Sequence, residues 1–195
     1  MKPYIIAISG GIGCGKSLVS KILTCLGYLV YDCDYNAKYL MNNDNVIKKQ
    51  ISDRIYSKAI TSDGFIDRKI LSDIVFNNAE KLEILNSIVH TSVKNDIIRW
   101  IDNHSCNKKL FIETAILYQS GLDKIVDEVW EVEASTETRI KRVIKRNGIT
   151  EKDVKARIKS QEITRGQSQH NNIKTIINDG NSTPILPQIY NLINI

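Results

Sequence analysis

The chain has 195 residues, 42% of them hydrophobic and 25% charged, and a formal net charge of +5. That is enough for one sizeable core and a smaller appended unit, and the composition is that of an ordinary globular protein. No apolar stretch approaches the roughly 18 residues that cross a bilayer, and the opening MKPYIIAISGG runs into glycines too early for an export signal, so a cytoplasmic protein without a membrane partner is expected. The four cysteines, Cys14, Cys25, Cys33 and Cys106, have no CxxC or Cys/His metal spacing and read as reduced thiols. The positive charge suits either nucleic acid or a ligand with several phosphates and does not choose between them.

In chain order, the first element is a predicted strand, YIIAIS (4–9), followed at 10–17 by GGIGCGKS and then by Val19, Ile22, Leu23 and Leu26 at helical spacing. Strand, glycine-rich bend and helix are the context that G-x-x-x-x-G-K-[ST] requires of a P-loop. Without Cβ atoms the bend can turn successive N–H groups inward on phosphate oxygens, at the positive end of the helix. Gly11, Ile12, Gly13, Cys14, Gly15, Lys16, Ser17 and Leu18 are therefore the candidate ATP-binding residues. Lys16 would reach the β- and γ-phosphates, and the Ser17 hydroxyl would ligate Mg²⁺.

A second predicted strand, YLVYD (28–32), leads into YDCDYNAK. Residues just past strand carboxyl ends line the ligand crevice of a doubly wound sheet, so Asp32 and Asp34 are candidates for the phosphate-loop side. Asp34, further beyond the strand, is the candidate proton acceptor. Asp32 is left to orient a Mg²⁺-bound water or to hydrogen-bond backbone, and capping of the next helix is the competing reading for both.

Almost eighty residues of mainly helical pattern follow, with Asp67 placed to cap RKILSDIVF and a long amphipathic stretch beyond it. This exceeds one crossover connection and predicts a helical insertion. His90 falls within it as a lone histidine, a type more often structural than catalytic.

Three more strands are predicted: LFIET (110–114), VWEVE (129–133) and KTIIN (174–178). Five strands alternating with helices imply an α/β protein with a parallel sheet. Glu113, closing the third strand, could stand near Mg²⁺ or be an ordinary strand-end charge. After the fourth strand, TRIKRVIKRNG and TEKDVKARIKSQ form two helices joined at Asn147 and Gly148, with Arg139, Arg142 and Arg146 on one face. Charge develops on equatorial oxygens during phosphoryl transfer, so a cationic lid suits it, and Arg142 and Arg146 are the chosen residues over a merely solvated basic face.

Jointly, ISGGIGCGKS, YDCDYNAK, DGFIDRKILSDIVFNN, LNSIVH, QSGLD, RIKRVIKRNG and IINDG resemble the dephospho-CoA kinases, which phosphorylate the ribose 3′-hydroxyl of dephospho-CoA at the last step of coenzyme A synthesis. The resemblance spans essentially the whole chain. It implies a P-loop core (1–34, 107–137 and 172–195), a helical coenzyme-binding insertion (35–106) and a lid (138–171). It further implies Asp34 as catalytic base, Arg142 as the lid arginine and Asn178 beside the ATP adenine, with His90 and Leu117 on the acceptor substrate. ATP with Mg²⁺ and dephospho-CoA are the implied ligands, and a monomer or weak homo-oligomer is expected.

The chain departs from the family pattern at His90-Thr91 (usually His-Pro), Glu113-Thr114-Ala115 (Asp, an apolar residue, Pro) and Tyr118-Gln119 (Phe-Glu). TRGQSQHNN (164–172) also lacks the usual acidic-plus-lysine pattern. Two other readings remain at this point: a P-loop kinase with a nucleoside, nucleotide or small-alcohol acceptor, and a non-kinase nucleotide switch or ATPase. Against a guanine switch, NKKL (107–110) has no final aspartate; against nucleic acid, RIKRVIKR has no aromatic residue.

Overall fold

The computed structural model describes residues 2–165, 170–180 and 184–194, with side chains at 163–165 left aside; part of the TRGQSQHNN stretch therefore lies outside the described residues. Chain contacts divide the protein into one unit of 1–31 with 104–195 and a second of 32–103.

The first unit is built on a five-stranded sheet of order β2-β3-β1-β4-β5, from β1 (Tyr4–Ser9), β2 (Val30–Asp32), β3 (Lys109–Glu113), β4 (Glu128–Glu133) and β5 (Ile173–Ile177). Parallel registers set Ile6 beside Phe111 and Ile8 beside Trp130. The fold class expected from the sequence, a parallel-sheet α/β core, is what forms. Near-continuous apolar strands bury both faces: every residue of β1 from Ile5 to Ser9 is buried. Helices α1 (Lys16–Cys25) and α8 (Ile185–Ile193) join one core with Ile6, Ile8, Phe111 and Trp130. There the Phe111 and Trp130 rings meet edge to face, centroids 5.2 Å apart. The Trp130 indole N–H, a donor in the interior, is satisfied by Glu128 Oε1 at 2.5 Å.

Strand β2 is shorter than the sequence suggests. Gly27, at φ +88, ends α1 with a left-handed residue, and Tyr28 N–H still bonds back to Leu23 C=O at 3.0 Å. Pairing with the sheet therefore starts later.

Beyond β4, α6 (Thr136–Asn147) and α7 (Glu151–Arg165) form a hairpin in the same unit as the sheet. Gly148, at φ +65, closes α6, and Ile140, Val143, Val154 and Ile158 make a small core of their own, against which Ile12 of the glycine bend packs.

The second unit contains α2 (Cys33–Asn43), α3 (Asn45–Arg54), α4 (Arg68–Phe76) and α5 (Ala79–Asn103), the other three helices all packing on α5. Aspartates start three of them. Asp32 accepts from Tyr35 N–H, Asp44 from Val46 and Ile47 N–H, and Asp67 from Lys69 and Ile70 N–H. Each such cap stabilises its helix by about 1 kcal/mol. Buried Leu40, Ile47, Ile51, Leu71 and Val75 give the short helices their inward faces.

Candidate active site

The bend between β1 and α1 has the torsions of a cradle. Gly13 and Gly15 lie at φ +79 and +100, where an L side chain is strained. Space is as restrictive as torsion: a Cβ on Gly15 would strike the Asn178 amide, and one on Gly11 the Arg139 guanidinium. Leu18 and Val19 N–H both bond to Gly15 C=O, so the helix starts at the loop itself and its positive end lies at the bend. Lys16 folds back over the loop, its Nζ donating to Gly10 O at 2.9 Å and Gly11 O at 3.3 Å.

A cavity of about 300 Å³ opens in front of this cradle, lined by Gly15, Ser17, Leu18, Lys21, Arg142 and Asn178. Three sequence segments meet there. Asn178 Nδ2 donates to Cys14 O at 2.7 Å. Arg142 donates through Nη1 to Asn178 O at 2.9 Å and through Nη2 to Asn178 Oδ1 at 3.2 Å, with Gly13 O at 3.5 Å from Nη1. Asp179 accepts from Ser135 N–H at 2.6 Å, a bond that holds its carboxyl below the usual range and ties this segment to the start of α6. The cavity thus combines the end of the glycine bend, the Arg142 guanidinium, the Lys21 ammonium and the Ser17 hydroxyl, with the Lys16 ammonium held on the bend itself. Such a set receives a polyphosphate.

The residue nominated by helical spacing beside Arg142 is not the one brought to the loop. Arg146 is exposed and donates to its neighbour Asn147 at 2.9 Å. Arg139, buried to 8% exposure, donates through Nε to Ile12 O at 3.0 Å and sits 3.7 Å from Glu162. Gln161 of α7 accepts from Ile12 N–H at 2.7 Å. Nothing local in the sequence marks Gln161, which lies 149 positions from its partner.

Glu113 closes β3 opposite Ile8, partly exposed. Leu117 is buried and lines a small cavity of about 30 Å³ behind Gly10 and Gly11. Asp34 and His90 belong to the second unit. Asp34 is exposed in the first turn of α2, where Asp32 already serves as the cap. Of the two aspartates, Asp32 therefore takes the backbone-bonding part.

His90 is half-buried on α5, and that burial holds its imidazole below the ordinary 6.5. The folded protein then binds fewer protons than the unfolded chain just below pH 6.5. Stability contributed by the neutral ring is full above that value and declines as pH falls toward the lowered folded value. Replacing His90 by leucine is expected to reduce the drop in unfolding temperature between about pH 7.5 and about pH 5.5, read by calorimetry. An undiminished drop would place the titrating group elsewhere.

Comparison with known proteins decides the family. The dephospho-CoA kinase family model matches residues 4–184. The chain belongs to that family. The dephospho-CoA kinase of Porphyromonas gingivalis is 34% identical over 191 residues, covering 96% of this chain and 92% of the relative. Among solved structures, TT1252 from Thermus thermophilus superposes with a TM-score of 0.79 at 26% identity, covering 100% of this chain and 98% of that one. The dephospho-CoA kinase from Campylobacter jejuni shares the fold, with a TM-score of 0.67 at 24% identity over 97% of this chain and 95% of that one. A dephospho-CoA kinase is a phosphotransferase that uses ATP, which agrees with the polyphosphate cradle. Among the described residues, no helix is long and apolar enough to cross a membrane.

Proposed function

We propose that the protein transfers the γ-phosphoryl group of ATP to the ribose 3′-hydroxyl of dephospho-CoA, giving CoA and ADP, as the cytoplasmic last step of coenzyme A assembly. One observation carries the reading most: the end of the glycine bend, Arg142 and Asn178 converge on one cavity, with Lys16 folded back over the same bend, in a chain of the dephospho-CoA kinase family. The loop amides and Lys16 hold the β- and γ-phosphates, and Asn178 lies on the side of the adenine. Arg142 meets charge as it builds on the transferring group. Asp34 takes the proton of the 3′-hydroxyl while that oxygen bonds to the γ-phosphorus, and the bond to the bridging oxygen of ADP breaks. Dephospho-CoA is the ligand of the helical insertion, and its proposed contacts are His90 of that insertion and Leu117 of the core.

The oxygen donors Ser17 and Glu113 suit a hard divalent cation that arrives with the nucleotide and keeps most of its water. Bound there, Mg²⁺ would neutralise phosphate charge. Neither donor completes a protein cage, and among the described residues no group of three His, Cys, Asp or Glu side chains is placed to form one. The enzyme needs no nucleic-acid or membrane partner and acts as a monomer or weak homo-oligomer.

The test is ADP release over a panel of acceptors with ATP and Mg²⁺. Dephospho-CoA is expected to be turned over well above nucleosides, nucleotides and small alcohols. Turnover of one of these in place of dephospho-CoA would move the acceptor assignment; ADP release indifferent to any acceptor would make the protein an ATPase.

A further inference from the structure

The grip of the α6–α7 hairpin on Ile12 fixes more than the position of one residue. A trans peptide unit points its C=O and N–H to opposite sides, and no peptide bond in the described chain is cis. Gln161 holds the Ile12 N–H toward the hairpin, so the C=O of the same unit, that of Gly11, faces the other way. There it meets Cys14 N–H and Lys16 Nζ, each at 3.3 Å. Arg139 holds the Ile12 C=O toward the hairpin, so the N–H of the next unit, that of Gly13, is turned away from the hairpin as well.

We infer that Arg139 and Gln161 are positioning residues for phosphoryl transfer: from the hairpin they clamp both polar groups of Ile12 and thereby aim the Gly13 N–H into the phosphate cradle. Neither touches the nucleotide. The clamp is built rather than incidental. Arg139 is a buried cation, and its guanidinium lies so close to Gly11 that a side chain there would push it aside. The Ile12 side chain meanwhile packs into the hairpin's own core. A donor held in place before the ligand arrives costs no reorganisation when it binds.

The inference rests on the proposed kinase reading only for its effect on turnover, and ATP binding measured without any acceptor tests it separately. Four variants suffice. Arg139→Met keeps the stem and loses the donor, Arg139→Lys keeps a cationic donor, Gln161→Leu loses the acceptor, and Gln161→Glu keeps it. By titration calorimetry, the Met and Leu variants are each expected to bind ATP roughly tenfold more weakly. The Lys and Glu variants should stay within about threefold of the unaltered protein. The Gly13 amide resonance, followed while inorganic tripolyphosphate is added, should respond less in Arg139→Met than in Arg139→Lys, a difference that lost packing alone does not produce.

Unaltered ATP affinity in both Arg139→Met and Gln161→Leu would overturn the inference, and so would equal losses in the conservative variants. Should Arg139→Met fail to fold, Gln161→Leu, at a partly exposed position, carries the test. Failure to phosphorylate dephospho-CoA would remove the proposed function and leave the clamp standing.

Discussion

Asp34→Asn is expected to lower kcat about a thousandfold while leaving the ATP dissociation constant within about twofold of the unaltered protein. The carboxylate is replaced by an amide of the same shape, so a proton acceptor is lost and little else. Helix α2 does not depend on it, because Asp32 accepts the Tyr35 N–H. The unfolding temperature should consequently hold. Asp32→Asn makes the contrast: asparagine caps a helix nearly as well, and turnover should change by less than about tenfold. Stopped-flow or steady-state ADP release with saturating dephospho-CoA, paired with calorimetric ATP titration, separates the two effects. If Asp32→Asn were the more damaging change, the proton would be leaving through the other carboxylate.

Lys16→Met should do harm of a different kind. The Lys16 ammonium bonds to the Gly10 and Gly11 carbonyls, 2.9 and 3.3 Å away, which holds the cation over the bend. A triphosphate offers it far stronger, charge-assisted partners in the same place. Removing it is expected to weaken ATP binding at least about tenfold and to lower kcat/KM by roughly three orders of magnitude, since the charge acts on both bound nucleotide and transition state. The double reading distinguishes Lys16 from Asp34, whose loss falls on kcat alone. A Lys16→Met protein that bound ATP normally and lost only turnover would mean that the lysine meets the phosphates solely in the transition state.

The central strands were readable because they are buried: IIAI and LFI are unbroken apolar runs, and VWEV is interrupted only by the buried Glu131. The phosphate loop was readable because backbone torsion and helix polarity leave so few sequences able to form it. The hairpin illustrates where such reading ends. Spacing put Arg139, Arg142 and Arg146 on one helical face, yet a face extends along an axis. At about 1.5 Å of rise per residue, Arg146 lies roughly 10 Å further along α6 than Arg139. The loop crosses near the start of that helix, so Arg139 and Arg142 meet it while Arg146 turns to Asn147. Gln161 was beyond reach for a related reason. A side chain that bonds to a backbone amide leaves no periodicity, charge or motif behind, and only the fold brings α7 to Ile12. The family resemblance added what local chemistry could not, the identity of the acceptor and the reading of Asn178.

The strand order also has a consequence for how the protein comes into being. The middle strand of the sheet is the first to leave the ribosome, but its neighbours are encoded far downstream. Tyr4 pairs with Lys109 and Ile6 with Glu128, separations of 105 and 122 residues from those paired numbers. Until those partners are synthesised, an apolar ribbon with two unsatisfied edges waits in the nascent chain. Helices α2 to α5 need no such wait, because their contacts close within a single uninterrupted segment. Assembly of the nucleotide core is thus the late event in biogenesis, slow in the manner of long-range parallel pairing and exposed to self-association while it lasts.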